Sequence, residues 1–152
     1  DVLEYESKYW RKDKDVALAA VNKDGYTLQY ASLELQNNKD VVLAALNKNG
    51  GALQCASKSL QNDKDLVVAA VNNNRYALRS ASNQMRNDKE VVLAAVNNQG
   101  LALEFADESQ KGDVEIVLKA LLQNPEAIEC GSQESIAQLA MYYVEHRTRN
   151  FD

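Results

Sequence analysis

Six consecutive apolar residues recur every 25 residues along this chain, at 16–21, 41–46, 66–71 and 91–96. A degraded copy follows Asp113. A fixed period of this length marks an array of stacked structural units. Each run is preceded by Asp13, Asn38, Asp63, Asp88 or Asp113, which are good helix N-caps. Two positions later stands Asp15, Asp40, Asp65, Glu90 or Glu115, a carboxylate suited to the positive end of a helix dipole. The runs stop at Asn22, Asn47, Asn72 and Asn97, and Gly25, Gly50 and Gly100 follow, where a left-handed C-terminal residue is expected. Arg75 takes that position in the third repeat, which predicts strain there.

The second half of each repeat carries apolar residues at helical spacing, such as Thr27, Leu28, Ala31 and Leu35, or Ala52, Leu53, Ala56 and Leu60. This predicts a second helix of about ten residues. A short apolar run also fits a buried strand, and leucine-rich repeats have similar periods. Two features argue against strands. Each run holds an Ala-Ala pair, and Ala favours helix. The L-x-x-L-x-L spacing is absent. The expected fold is therefore an all-α solenoid of four helix-turn-helix repeats. Because the runs are apolar all round, the first helix is expected to be buried on every face.

The chain reads as one helical-repeat domain over 1–152, with four repeats over 13–112. Residues 1–12 align with the second half of a repeat, Leu3 with Leu28, Tyr5 with Tyr30 and Trp10 with Leu35. Either the array continues upstream of Asp1 or these residues form a cap. Residues 113–152 hold a degenerate repeat, in which Pro125 opens a short helix, and a C-terminal cap helix from about Ser132 to His146. Its stripe is Ile136, Leu139, Ala140, Tyr143 and Val144, and Arg147 to Asn150 are expected to fray.

The repeated pattern D-K-[DE]-V-V-L-A-A-V-N-x-x-G-x-A-L-x-x-A-S-x-x-L-x-N-D resembles the family called domain of unknown function 4116. Lys39 to Asp63 and Lys64 to Asp88 carry it most fully, with Asp13 to Asn37 and Asp88 to Asp107 close behind. The resemblance implies a helical array. It also implies the setting of a bacterial effector, cytoplasmic or delivered into a host cell. It supplies no catalytic residues.

Net charge is −5, which argues against a general binder of nucleic acid or anionic membrane. No apolar run approaches the ~20 residues of a membrane span. Hydrophobic residues at 45% suffice for a continuous core. Cys55 and Cys130 share a repeat position three repeats apart, so stacking separates them by about 25–30 Å. A disulfide needs about 7 Å, so reduced, buried thiols are expected. His146, the single histidine, has no ligand-like spacing to Cys130. No cofactor, metal or catalytic role is expected.

Columns of Asn (22, 47, 72, 97) and Ser (32, 57, 82) either hold an extended peptide or serve the fold, with Asn closing helices and Ser bonding backbone carbonyls. Function is expected where repeats differ. Repeat three is basic (Arg75, Arg79, Arg86, Lys89) and repeat four acidic (Glu104, Asp107, Glu108). Arg79 and Glu104 share a repeat position and could simply pair. The alternative is a charged surface that steers a protein partner. The candidate partner-binding residues are Lys58, Arg75, Arg79, Asn83, Glu104 and Glu108. A regulatory array for an enzyme domain outside this chain and a nucleic-acid reader are the other two readings.

Overall fold

The computed structural model describes residues 9–148, and side chains as far as Glu145. All regular structure among the described residues is helical. Five ten-residue helices recur in register: α1 (Lys14–Lys23), α2 (Lys39–Lys48), α3 (Lys64–Asn73), α4 (Lys89–Asn98) and α5 (Val114–Gln123). A longer helix, α6 (Gln133–Thr148), ends the described chain. The reading of residues 1–8 and 149–152, and of the His146 side chain, falls outside the described residues.

Each ten-residue helix starts where its cap predicts. Asp13, Asn38, Asp63, Asp88 and Asp113 all accept first-turn N–H groups, for example Asp13 Oδ1 from Asp15 N at 2.9 Å and Val16 N at 3.1 Å. The helix runs one residue past the Asn of each apolar run. It ends because Asp24, Asn49, Asn74, Gln99 and Asn124 adopt extended backbone. Each ten-residue helix packs against the next, and α5 packs against α6.

The second half of the repeat departs from expectation. No ten-residue second helix forms. Six residues of 3-10 helix follow the extended residue, at Gly25–Tyr30, Gly50–Cys55 and Gly100–Phe105. Then Ala31, Ala56, Ala81 or Ala106 becomes extended, with ψ of 160°, 158°, 157° and 161°. This break lets the next N–H reach the preceding repeat. Ser32 N donates to Arg11 O, Ser57 N to Gln36 O, Ser82 N to Gln61 O, Asp107 N to Arg86 O and Ser132 N to Lys111 O, at 2.8–3.0 Å. The first four of these residues cap single turns, as when Ser82 Oγ accepts from Met85 N at 3.2 Å, and Ser132 caps α6. Each serine of the column thus serves the fold twice, its N–H donating to a carbonyl of the preceding repeat and its hydroxyl accepting an N–H of the following turn.

The glycine expectation is also corrected. No described glycine has positive φ. Gly25, Gly50 and Gly100 instead lie against the next repeat. A Cβ on them would overlap the carbonyl oxygens of Ala45, Ala70 and Ala120 respectively. Arg75 likewise has no positive φ, so the expected left-handed strain is absent. Its side chain is accommodated by local rearrangement: the 3-10 segment gives way to a turn and a short α-turn at Ala77–Ser80.

The core lies between the ten-residue helices and the 3-10 segments. In α2, Val41, Val42, Ala45 and Leu46 are fully buried, and Ala52 and Leu53 meet them from the other layer. The ten-residue helices are not buried on every face. Leu43 and Leu118 are 39% and 44% exposed, because none of the described elements covers the outer side. On α6, Ile136 and Leu139 are half-buried, but Ala140, Tyr143 and Val144 are exposed, since α6 outruns the α5 surface it packs on.

Candidate polar groove on the short-helix face

The repeats are joined by a ladder of lysines that the sequence pattern contains but does not explain. Lys14 Nζ lies 2.7 Å from Asp40 Oδ2. Lys39 reaches Asp63 at 2.8 Å, Lys64 reaches Asp88 at 3.0 Å and Lys89 reaches Asp113 at 2.8 Å. Lys64 and Lys89 also contact Glu90 and Glu115. Asp63, Asp88 and Asp113 are therefore both helix caps and partners for the previous repeat, whereas Asp40, Glu90 and Glu115 are first-turn residues. The Lys39 and Lys89 ammonium groups hold Asp63 and Asp113 below the usual carboxylate range. At Asp88, partial burial pushes upward, but Lys64 and the cap N–H groups together outweigh it.

A second ladder runs along the opposite ends of these helices. Asn73 Nδ2 donates to Leu46 O and Asn47 O at 3.2 and 3.1 Å, and Asn98 Nδ2 donates to Val71 O and Asn72 O. From α3 onward, each repeat thus caps open carbonyls of the one before. The sequence points to the Asn one position earlier; the cross-repeat side chains are Asn73, Asn98 and Gln123.

On the 3-10 side, exposed Gln29, Gln54, Arg79, Glu104 and Glu129 stand at one repeat position and form a column. Clefts open beside it at repeat junctions. The cleft between repeats two and three, of about 510 Å³, is lined by Lys58, Arg79, Asn83 and Arg86 together with Gln54 and Gln61. A neighbouring cleft of about 460 Å³ is lined mainly by Gln29, Gln36, Gln54 and Gln61, with Lys58 at its shared edge. Further along, Glu104, Glu126 and Glu129 line a cleft of about 530 Å³ with Leu101 and Cys130. Along the column the clefts run from amide-rich with one lysine, to basic, to acidic.

Three of the sequence candidates, Lys58, Arg79 and Asn83, thus meet in one cleft. Glu104 lines the acidic one. Arg75 lies elsewhere, beside Gln99 and Gln123, with its guanidinium 4.6 Å from the Tyr76 ring centroid. Glu108 is held by Lys111 at 2.8 Å and lines none of these clefts. Among the described residues no ion pair joins Arg79 to Glu104, although Glu104 lies within electrostatic reach of Arg75.

Arg86 was visible in the sequence only as part of a basic repeat. Its position is what matters. Gln36 and Gln61 occupy the same place in earlier repeats, and each donates Nε2 to three backbone carbonyls, Gln61 to Leu53 O, Gln54 O and Ala56 O at 3.2, 3.4 and 3.0 Å. Arg86 makes no such bonds. Its Nη2 donates to Asn83 Oδ1, and its Nε is buried without an acceptor among the described residues. The change from Gln to Arg along that register is the signal sequence reading could have used.

Cys55 and Cys130 are unbonded and half-buried, rather than fully buried as expected. Burial pushes both thiols up, and Glu104 adds to the effect at Cys130. Among the described residues no cluster of three or more His, Cys, Asp or Glu side chains could hold a metal ion. No described helix is long and apolar enough to cross a membrane.

The sequence matches the family described as Domain of unknown function (DUF4116) over residues 1–36, 38–86 and 88–134. The chain belongs to the DUF4116 family. Two of these DUF4116 matches, 38–86 and 88–134, each span about two 25-residue periods, so the family unit corresponds to a pair of the repeats seen here. No curated protein and no solved structure matches the chain.

Proposed function

We propose that this chain is an α-solenoid of four 25-residue repeats with capping segments, working as a non-catalytic protein-interaction module. Its partner lies along the groove beside the Gln29–Glu129 column. One observation carries this reading. The repeat-linking lysines Lys14, Lys39, Lys64 and Lys89 all have carboxylate partners, whereas Lys58, Arg79 and Arg86 share a cleft with none within 4.0 Å among the described residues. Cations gathered without counter-charge repel one another, and a partner that supplies negative charge relieves this. The acidic cleft further along disfavours a continuous phosphate backbone on the same groove. In the setting that the family resemblance suggests, the module is an effector, or a domain of one, acting on a host protein in the cytoplasm.

The test is affinity capture from a cell lysate with the wild-type chain and with an Arg79→Glu, Glu104→Lys variant that melts like it. A protein held by the wild type and released by the variant supports the reading. Identical captured sets place the binding surface elsewhere.

A further inference from the structure

We infer that the groove takes an extended peptide bearing acidic residues at the Lys58–Arg79–Arg86 cleft and basic residues, about six positions along, over Glu104, Glu126 and Glu129. This rests on the interaction reading and adds the chemistry of the partner segment.

The spacing follows from the repeat. Arg79 and Glu129 hold the same position two repeats apart, and packed helices lie roughly 8–10 Å apart. The basic and acidic clefts are then separated by about 16–20 Å, which an extended chain crosses in about five or six residues at 3.3–3.6 Å each. The opposite charges face the same groove because Arg79, Glu104 and Glu129 share one exposed column. Toward the other end, Gln29 and Gln54 offer both amide donors and acceptors, which suit peptide backbone rather than a charged ligand.

Arg86 strengthens the assignment of a carboxylate to the basic cleft. A glutamine there would satisfy three carbonyls, as Gln36 and Gln61 do. The arginine forgoes those bonds and leaves a buried Nε unpaired among the described residues. A buried unpaired donor is costly and calls for a reason. A carboxylate at the cleft that took Nη2 from Asn83 would give this guanidinium a charge-assisted partner. Nucleic acid fits the first cleft but meets three glutamates at the next.

The probes are two fluorescein-labelled peptides, Glu-Glu-Glu-Ser-Gly-Ser-Lys-Lys-Lys and the reverse order, read by anisotropy. The two share one composition and one label, so bulk attraction to the protein is the same for both and only the order of charges differs. A uridine oligonucleotide of equal length is the control. One peptide order should bind the wild-type chain, weaken as salt rises from about 0.05 to 0.3 M, and lose affinity when its Ser-Gly-Ser spacer is removed. Arg79→Gln with Arg86→Gln restores the residues of the earlier repeats. It should melt at or above the wild type and weaken the peptide at least about tenfold. Glu104→Gln with Glu129→Gln should weaken it independently. Equal binding by wild type and either variant overturns the inference, as does binding of the oligonucleotide with neither peptide bound. Capture of a partner that depends on Arg79 and Glu104, with both peptides silent, would overturn the peptide chemistry while leaving the interaction surface in place.

Discussion

Replacing Gly50 by alanine isolates the reason for the repeated glycine. A Cβ at Gly50 would overlap the Ala70 carbonyl oxygen and lie 3.0 and 3.2 Å from Ala70 C and Cα. Those atoms are backbone of α3, held by helix hydrogen bonds, so they cannot swing aside. The 3-10 segment must withdraw by about 1 Å to reach ordinary van der Waals separation. Overpacking of this kind costs about 1–3 kcal/mol. Alanine recovers about 0.4–1 kcal/mol by restricting the unfolded chain. The net loss is then about 1–2 kcal/mol, or a melting temperature lower by about 2–8 °C in a chain this long. Gly112 is the internal control, because a Cβ there meets nothing nearer than 3.4 Å and its φ is −85°. Gly112→Ala should be neutral or stabilising. Gly50→Asn separates the two possible causes. Asparagine is tolerated where a left-handed residue is needed, but it should be worse than alanine against a neighbouring backbone. Thermal melts followed by circular dichroism decide the matter. The reasoning fails if Gly50→Ala melts at or above the wild type, or if asparagine is milder than alanine. Arg75→Gly runs the same logic in reverse and should melt at or above the wild type.

Leu53 and Leu78 are fully buried between the two layers. Alanine at either should cost about 2–5 kcal/mol in chemical denaturation, and the loss should spread because each repeat leans on its neighbours. Acid should weaken the array through its lysine ladder. Asp63, Asp88 and Asp113 have folded-state pKa values below the ordinary 3.8. Their contribution is present above that value and is lost as pH falls through the lower folded values. Denaturation midpoints should therefore drop below about pH 4, and less steeply once Lys39, Lys64 and Lys89 are replaced by methionine. Cys55 and Cys130 should both react with a disulfide reagent as free thiols, more slowly in the folded than in the unfolded chain, because burial disfavours the thiolate. A native chain with no titratable thiol would contradict this.

The register of the ten-residue helices could be read because it is local chemistry. Asp63 caps α3 and Ala69-Ala70 favours helix whatever the neighbours do. The second half of the repeat could not, because its break at Ala56-Ser57 depends on a bond from Ser57 N to Gln36 O in the preceding repeat. Local apolar spacing gives no sign of that bond, and it overrides the continuous helix that Ala52, Leu53, Ala56 and Leu60 suggest. Gly50 misled for the same reason. Its neighbour in sequence suggests a turn, while its constraint comes from Ala70 in the next repeat. The basic cleft was half legible. Lys58 and Asn83 share a repeat position and Arg79 lies four residues before Asn83, so periodicity alone could place them near one another. The change from Gln36 and Gln61 to Arg86 and the three-residue spacing of Glu108 and Lys111 stand in the sequence, but the three carbonyl bonds that Arg86 forgoes and its unpaired Nε needed the packed side chains.

The most direct test of the interaction surface is backbone amide shift mapping with the captured partner bound to the labelled chain. The groove reading predicts perturbations centred on Gln54, Arg79, Asn83, Glu104 and Glu129, with little change at Leu43, Val68 and Leu93 on the outer side of the ten-residue helices. Perturbations confined to that outer side, or to α6 around Met141 to Val144, would contradict it.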